Sequence, residues 1–122
     1  MNEDFVPFEL AVKLKEKGFN YPCIGHYFNN QLYIAHYQNA FHSDKNETFD
    51  APAISQVLKW LRERYFIHIS TKPYPCEDGI MWAYEIRKFS EYISAVVAKK
   101  AGFIKEEQAA VAGIECVLDN LI

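Results

Sequence analysis

The spacing of apolar and polar positions changes period several times along the chain, and each change marks an element. Between Pro7 and Lys17, Leu10, Ala11 and Leu14 recur at helical spacing. Pro7 suits a first turn and Gly18 supplies a stop, so a first helix is expected. From Cys23 to Tyr37, aromatic and β-branched residues alternate, interrupted at Asn29-Asn30, whose side chains tolerate the positive φ of a tight turn. This predicts a hairpin. A two-residue turn sets Phe28 opposite Gln31, His26 opposite Tyr33 and Cys23 opposite His36. A three-residue turn sets His26 against Ile34 and His36 against Ile24, because a slip of one residue inverts every facing. Gln38 to Asp50 is polar apart from Ala40, Phe41 and Phe49 and leads to Pro52, which reads as a long loop.

Ala53, Ile54, Val57, Leu58, Leu61 and Tyr65 then repeat every three or four residues, with Lys59, Arg62, Glu63 and Arg64 on the opposite arc. This predicts a second helix with Leu58 and Leu61 buried against a sheet. Phe66 to Thr71 alternates as a strand, which Pro73, Pro75 and Glu77-Asp78-Gly79 are expected to halt. Met81 to Phe89 alternates again as a further strand. Glu106 to Leu121 carries Ala110, Val111, Ile114, Leu118 and Leu121 on one helical stripe, with Glu106 and Glu107 favourably placed at its N-terminus. Gly113 would weaken that third helix by about 1 kcal/mol if internal. Ser90 to Gly102 fits either a helix capped by Ser90 or a strand rich in Tyr92, Ile93, Val96 and Val97. The order implies an α+β fold: an antiparallel or mixed sheet of four to five strands with three helices mainly on one face, in a single domain over residues 1–122.

With 122 residues the chain has room for one core, and 50% hydrophobic with 24% charged residues excludes disordered and fibrous classes. The longest uncharged apolar stretch, Tyr92 to Ala98, is far shorter than the ~20 residues that span a bilayer. The acidic start Met1-Asn2-Glu3-Asp4 is the reverse of a secretory signal. We therefore expect a soluble cytoplasmic protein without a membrane partner. The net charge of -3, with both signs interspersed, gives nucleic acid no electrostatic reason to bind. Cys23, Cys76 and Cys116 are odd in number and match no zinc or redox spacing, in keeping with a reducing compartment and no structural disulfide.

Candidate chemistry is sparse. A Cys23 and His36 pair could join a thiolate to its base or form half of a metal site, but no third orienting residue or second ligand pair accompanies it. Asp44, Asn46, Thr48 and Asp50 alternate like the start of a calcium loop. Phe49 then stands where that loop needs glycine, and Ser55 where it needs glutamate. No phosphate loop, dinucleotide fingerprint, metalloprotease histidine pair or nucleophile elbow is present. No catalytic, metal or cofactor residue is assigned. Lys59, Arg62 and Arg64, with Lys13 and Lys17, could form a basic patch that Glu16 and Glu63 dilute, and a solvated helix face explains them. The excess lies in nineteen aromatic residues. Tyr27, Tyr33, Tyr37 and Phe66 on presumed strands are the candidate interface, although exposed cross-strand pairs would account for the same residues.

Three blocks, EDFVPFELAVKLKEKG from Glu3 to Gly18, APAISQVLKWLRERYFIHI from Ala51 to Ile69 and EEQAAVAGIECVLDNLI from Glu106 to Ile122, together cover nearly half the chain. In these blocks and their order the chain resembles a group of small uncharacterised proteins encoded by prophages and mobile elements of gut anaerobic bacteria. That resemblance implies a β-hairpin before the final helix, hence a strand at Ser90 to Gly102, although this stretch is richer in Ala and Lys than in the group. It implies an accessory or host-interaction role, and transfers no activity and no site residue. The reading that follows is a non-enzymatic interaction module, homodimeric through an aromatic sheet face, with an unidentified protein partner. The alternatives are a small enzyme or metal-binding protein centred on Cys23 with His26 or His36, and a nucleic-acid-binding regulator.

Overall fold

The computed structural model describes residues 5–23, 25–28, 31–34 and 48–122, and among them it has an α+β fold of three helices and six strands. The strands form two three-stranded antiparallel sheets instead of one sheet of four to five. The chain divides into two compact units, Met1–Val57 with Ile122 and Leu58–Leu121. Among the described residues no helix is long and apolar enough to cross a membrane.

In the first unit, helix α1 (Phe8–Glu16) buries Leu10, Ala11 and Leu14. It ends in a Schellman turn: the Phe19 N–H donates to the Leu14 carbonyl at 3.0 Å and the Gly18 N–H to that of Lys15 at 3.2 Å. Gly18, at φ +82°, makes that reversal possible. Strands β1 (Gly25–Phe28), β2 (Gln31–Ile34) and β3 (Thr48–Ala51) pair in the order β2-β1-β3. Phe28 lies opposite Gln31 and His26 opposite Tyr33, the register of a two-residue turn. His36 and Tyr37, and with them the Cys23–His36 pairing, lie outside the described residues, as do Asn29-Asn30 and most of the expected loop. The end of that loop is strand β3, where polar Thr48 and Asp50 pair with Phe28 and His26. Its pairing is supplied by β1 and leaves no periodic signature of its own. Gly25 is obligatory there, because a Cβ would fall 2.7 Å from the Ala51 carbonyl oxygen.

Helix α2 (Ile54–Tyr65) begins with half a capping box: the Ala53 N–H donates to Gln56 Oε1 at 3.0 Å, while Gln56 Nε2 donates to the Pro22 carbonyl at 2.8 Å. Its buried positions are Val57, Trp60 and Leu61; Leu58 is only half-buried, a correction to the expected face. Spacings of three and four from Val57 select Trp60 and Leu61, and Leu58 stands about a quarter-turn off that stripe. Immediately after the helix, Phe66 has φ +57°, the left-handed conformation usual for glycine at this place and one that costs a bulky residue about 1–2 kcal/mol.

The second unit is a meander, β4 (Ile67–Cys76), β5 (Gly79–Ser90) and β6 (Ile93–Phe103), followed by α3 (Glu106–Asn120). Contrary to expectation, β4 does not stop at its prolines, and Pro73 pairs with Trp82 and Pro75 with Ile80. Two residues apart, both rings put their missing N–H groups on the same side, the outer edge, where β5 requires no donor. The same absence of donors makes that part of the β4 edge a poor template for a further strand. Of the ambiguous stretch Ser90 to Gly102, Ser90 closes β5, Glu91 and Tyr92 form the turn, and the rest lies in strand β6, with Val97 and Gly102 left over as bulges in the pairing with β5. Gly102, at φ +101°, permits the second.

Helix α3 packs across all three strands. At Gly113 an added Cβ would lie 2.9 Å from Ile69 Cγ2 and 3.3 Å from Tyr84 Cγ, so the helix backbone itself rests on the sheet. This turns the expected stripe: Ala109, Gly113 and Val117 are buried together with Ala110, Ile114 and Leu118, whereas Val111 and Leu121 are half-buried. Thr71 Oγ1 donates to Glu106 Oε2 at 2.9 Å and ties the helix start to β4.

Two stability outcomes follow from this packing. In urea unfolding, Leu61→Ala should cost about 2–5 kcal/mol and Leu58→Ala clearly less. Gly113→Ala should destabilise by about 1–3 kcal/mol despite a gain in helix propensity, because Ile69 is β-branched and cannot swing Cγ2 aside.

Candidate functional site

Strand alternation gives the meander two unlike faces. The one under α3 carries Ile67, Ile69, Tyr84 and Ile86, all buried. Tyr84 meets the Cys116 thiol of α3, and burial first, then that contact, raises its hydroxyl above the usual tyrosine range. The face away from α3 presents His68 and Lys72 from β4, Glu85, Arg87 and Phe89 from β5, and Ser94, Val96 and Lys99 from β6. At its centre Glu85 accepts a hydrogen bond from Arg87 Nε at 2.9 Å and lies 3.7 Å from Lys72 Nζ. The Arg87 hydrogen bond is the main reason its carboxyl is held below the ordinary value, with the Lys72 charge adding to it. Arg87 Nη1 also donates to Ser94 Oγ at 3.4 Å. A shallow hollow of about 340 Å³ lies over Ala83 and Ala101 between Lys72, Glu85 and Lys99.

One end of this face forms a second hollow, a cup of about 300 Å³ lined by Arg62, Phe66, His68 and Phe89. Arg62 comes from the last turns of α2 and Phe66 from the residue that ends it. The Phe89 N–H donates to the Phe66 carbonyl at 2.9 Å, which carries the β4-β5 pairing one step past Ile67 and holds both residues at the same rim. His68 shares the face of Phe89. Among the described residues neither Arg62 nor His68 has a hydrogen-bond or ion-pair partner.

No protein-family model, curated protein or solved structure matches this chain.

The residues singled out from the sequence are dispersed. Tyr27 is half-buried: its hydroxyl donates to the Val6 carbonyl at 2.8 Å and its ring meets Phe8 edge-on at 5.5 Å. Burial raises its pKa. Tyr33 is 44% exposed and stacks on His26 at 5.6 Å. Because Tyr33 pairs with His26 and Tyr27 with Leu32, the two tyrosines lie on opposite faces of their hairpin. Phe66 is 63% exposed. Cys23 is buried, Cys76 exposed and Cys116 half-buried, all as free thiols. Among the described residues no three of His, Cys, Asp and Glu gather in one place. The sequence reading missed His68 and Phe89 as partners of Phe66, and Arg62 was seen only as one charge on a helix face. A bulky residue directly after a well-defined helix, where glycine is customary, was the available signal.

Glu85 yields a pH prediction. Its folded pKa is lowered, so its contribution to stability is present above the unfolded value of about 4.5 and is lost as pH falls through the folded one. Glu85→Gln should therefore flatten the acid limb of the urea midpoint against pH, with the two proteins converging at low pH.

Proposed function

We propose that the chain is an interaction module that pairs with a second copy of itself by strand addition at β6. The observation that carries this reading is the contrast between the two edges of the meander. On the β4 edge Pro73 and Pro75 remove donors. The β6 edge has no proline, and from Ile93 to Phe103 every residue but Ala98 and Phe103 is exposed. Natural sheets protect long apolar edges with proline, charge, bulges or covering elements. The bulges of β6 fall at Val97 and Gly102 and its charges at Lys99 and Lys100, so Ile93 to Val96 is the stretch that carries none of these and can template another strand. Ile93 to Ala98 carries no charge, and Ile93 is 69% exposed. A two-fold axis anywhere in that stretch opposes no like charges, whereas one at Lys99-Lys100 would set lysine against lysine. An isologous pair would join two meanders into one six-stranded sheet.

The three free thiols suit a reducing cytoplasm, and the resemblance to prophage-encoded and mobile-element proteins supports an accessory role there. Light scattering on the purified protein should report a dimer at high micromolar concentration. Val96→Lys should shift it to monomer with an unchanged circular dichroism spectrum, and Tyr33→Ser should leave it dimeric. A monomeric wild type, or a dimer indifferent to Val96→Lys, would refute the pairing.

A further inference from the structure

We infer that the cup formed by Arg62, Phe66, His68 and Phe89 is a binding site for a small aromatic carboxylate. The inference is independent of pairing at β6. It begins with Phe66, which is the only non-glycine residue of positive φ among the described residues. Glycine would take this conformation without strain, and the phenyl ring does not recover the cost by burial, since Phe66 is 63% exposed. Phe66 instead lines the cup together with Phe89, whose N–H donates to the Phe66 carbonyl.

The charges point the same way. Arg87, beside His68 in the β4-β5 register, is already occupied by Glu85 and Ser94. Arg62 has no such partner among the described residues, and no carboxylate lines the cup. A guanidinium fork lining the same cup as an imidazole suits one planar carboxylate, which Arg62 can hold in a two-pronged hydrogen bond. The two phenyl rings suit an aromatic group packed edge-on or offset. A volume of about 300 Å³, at the small end of ligand sites, is enough for one ring on a short acid arm. A single free cation in a largely apolar cup also favours a monocarboxylate over a phosphate.

The test is a titration of the full chain with 3-phenylpropionate, followed by the amide NMR shifts of Phe66, His68 and Phe89. Saturable shifts are expected, at least tenfold weaker for 3-phenylpropionamide, which keeps the ring, and for acetate, which keeps the charge. Arg62→Gln should weaken binding at least tenfold. Phe66→Gly should raise the melting temperature by a few degrees and abolish saturation, a combination that a purely structural phenylalanine cannot give. Absence of saturation, equal binding of the amide, or a Phe66→Gly protein that melts lower or binds as well as wild type would overturn the assignment.

Discussion

The approach of the α3 backbone to the meander at Gly113 is the constraint on which the second unit depends. With no side chain between them, Ile69 and Tyr84 meet the helix directly, and small Ala109 and Ala110 continue the close approach on the same side. The contact fixes which arc of α3 is buried. It also fixes which face of β4 and β5 is buried, because residues alternate along each strand. Tyr84 and Ile86 go inward, so Glu85, Arg87 and Phe89 go outward. The helix propensity lost at Gly113, about 1 kcal/mol, is small beside the close packing it permits.

The strand order β4-β5-β6 makes β4 and β6 the two edges. Prolines on β4 are compatible with the meander only because β4 is terminal, and once there they deny donors to any further strand. The first sheet, built around β1 with Gly25 against Ala51, is completed by β3 instead. An α+β pattern that reads as one sheet thus resolves into two.

What was legible in the chain is what local chemistry decides. Gly18 ends α1, the Asn29-Asn30 spacing matches the hairpin register, and the alternation around Trp82, Tyr84 and Ile86 marks β5. What was not legible depends on partners. Strand β3 is polar and acquires its state from β1. Trp60 displaces Leu58 from the buried stripe because a helix face is chosen by what it packs on, and Gly113 looks like a weakness until the sheet beneath it is known. The site shows the same division. Phe66 reads as an aromatic on a strand, yet it stands at a helix terminus in a left-handed conformation, and its neighbour Phe89 is set by a register between strands that its own segment does not encode.

The outward face itself separates charges that are spent from charges that are not. Beside the hollow over Ala83 and Ala101, Glu85 is shared by Lys72 and Arg87, and Ser94 takes a further donor of Arg87, while Lys99 and Lys100 line the hollow with no hydrogen-bond or ion-pair partner among the described residues. The acid at its centre, Glu85, is what the network is built around. At the cup the arrangement is reversed: cationic Arg62 and neighbouring His68 stand over apolar walls without an acid. Water hydrates a lone exposed guanidinium adequately, so its presence alone would require nothing. It is the coincidence of that guanidinium with a strained aromatic residue, where glycine would serve the fold better, that distinguishes this end of the sheet from an ordinary solvated surface.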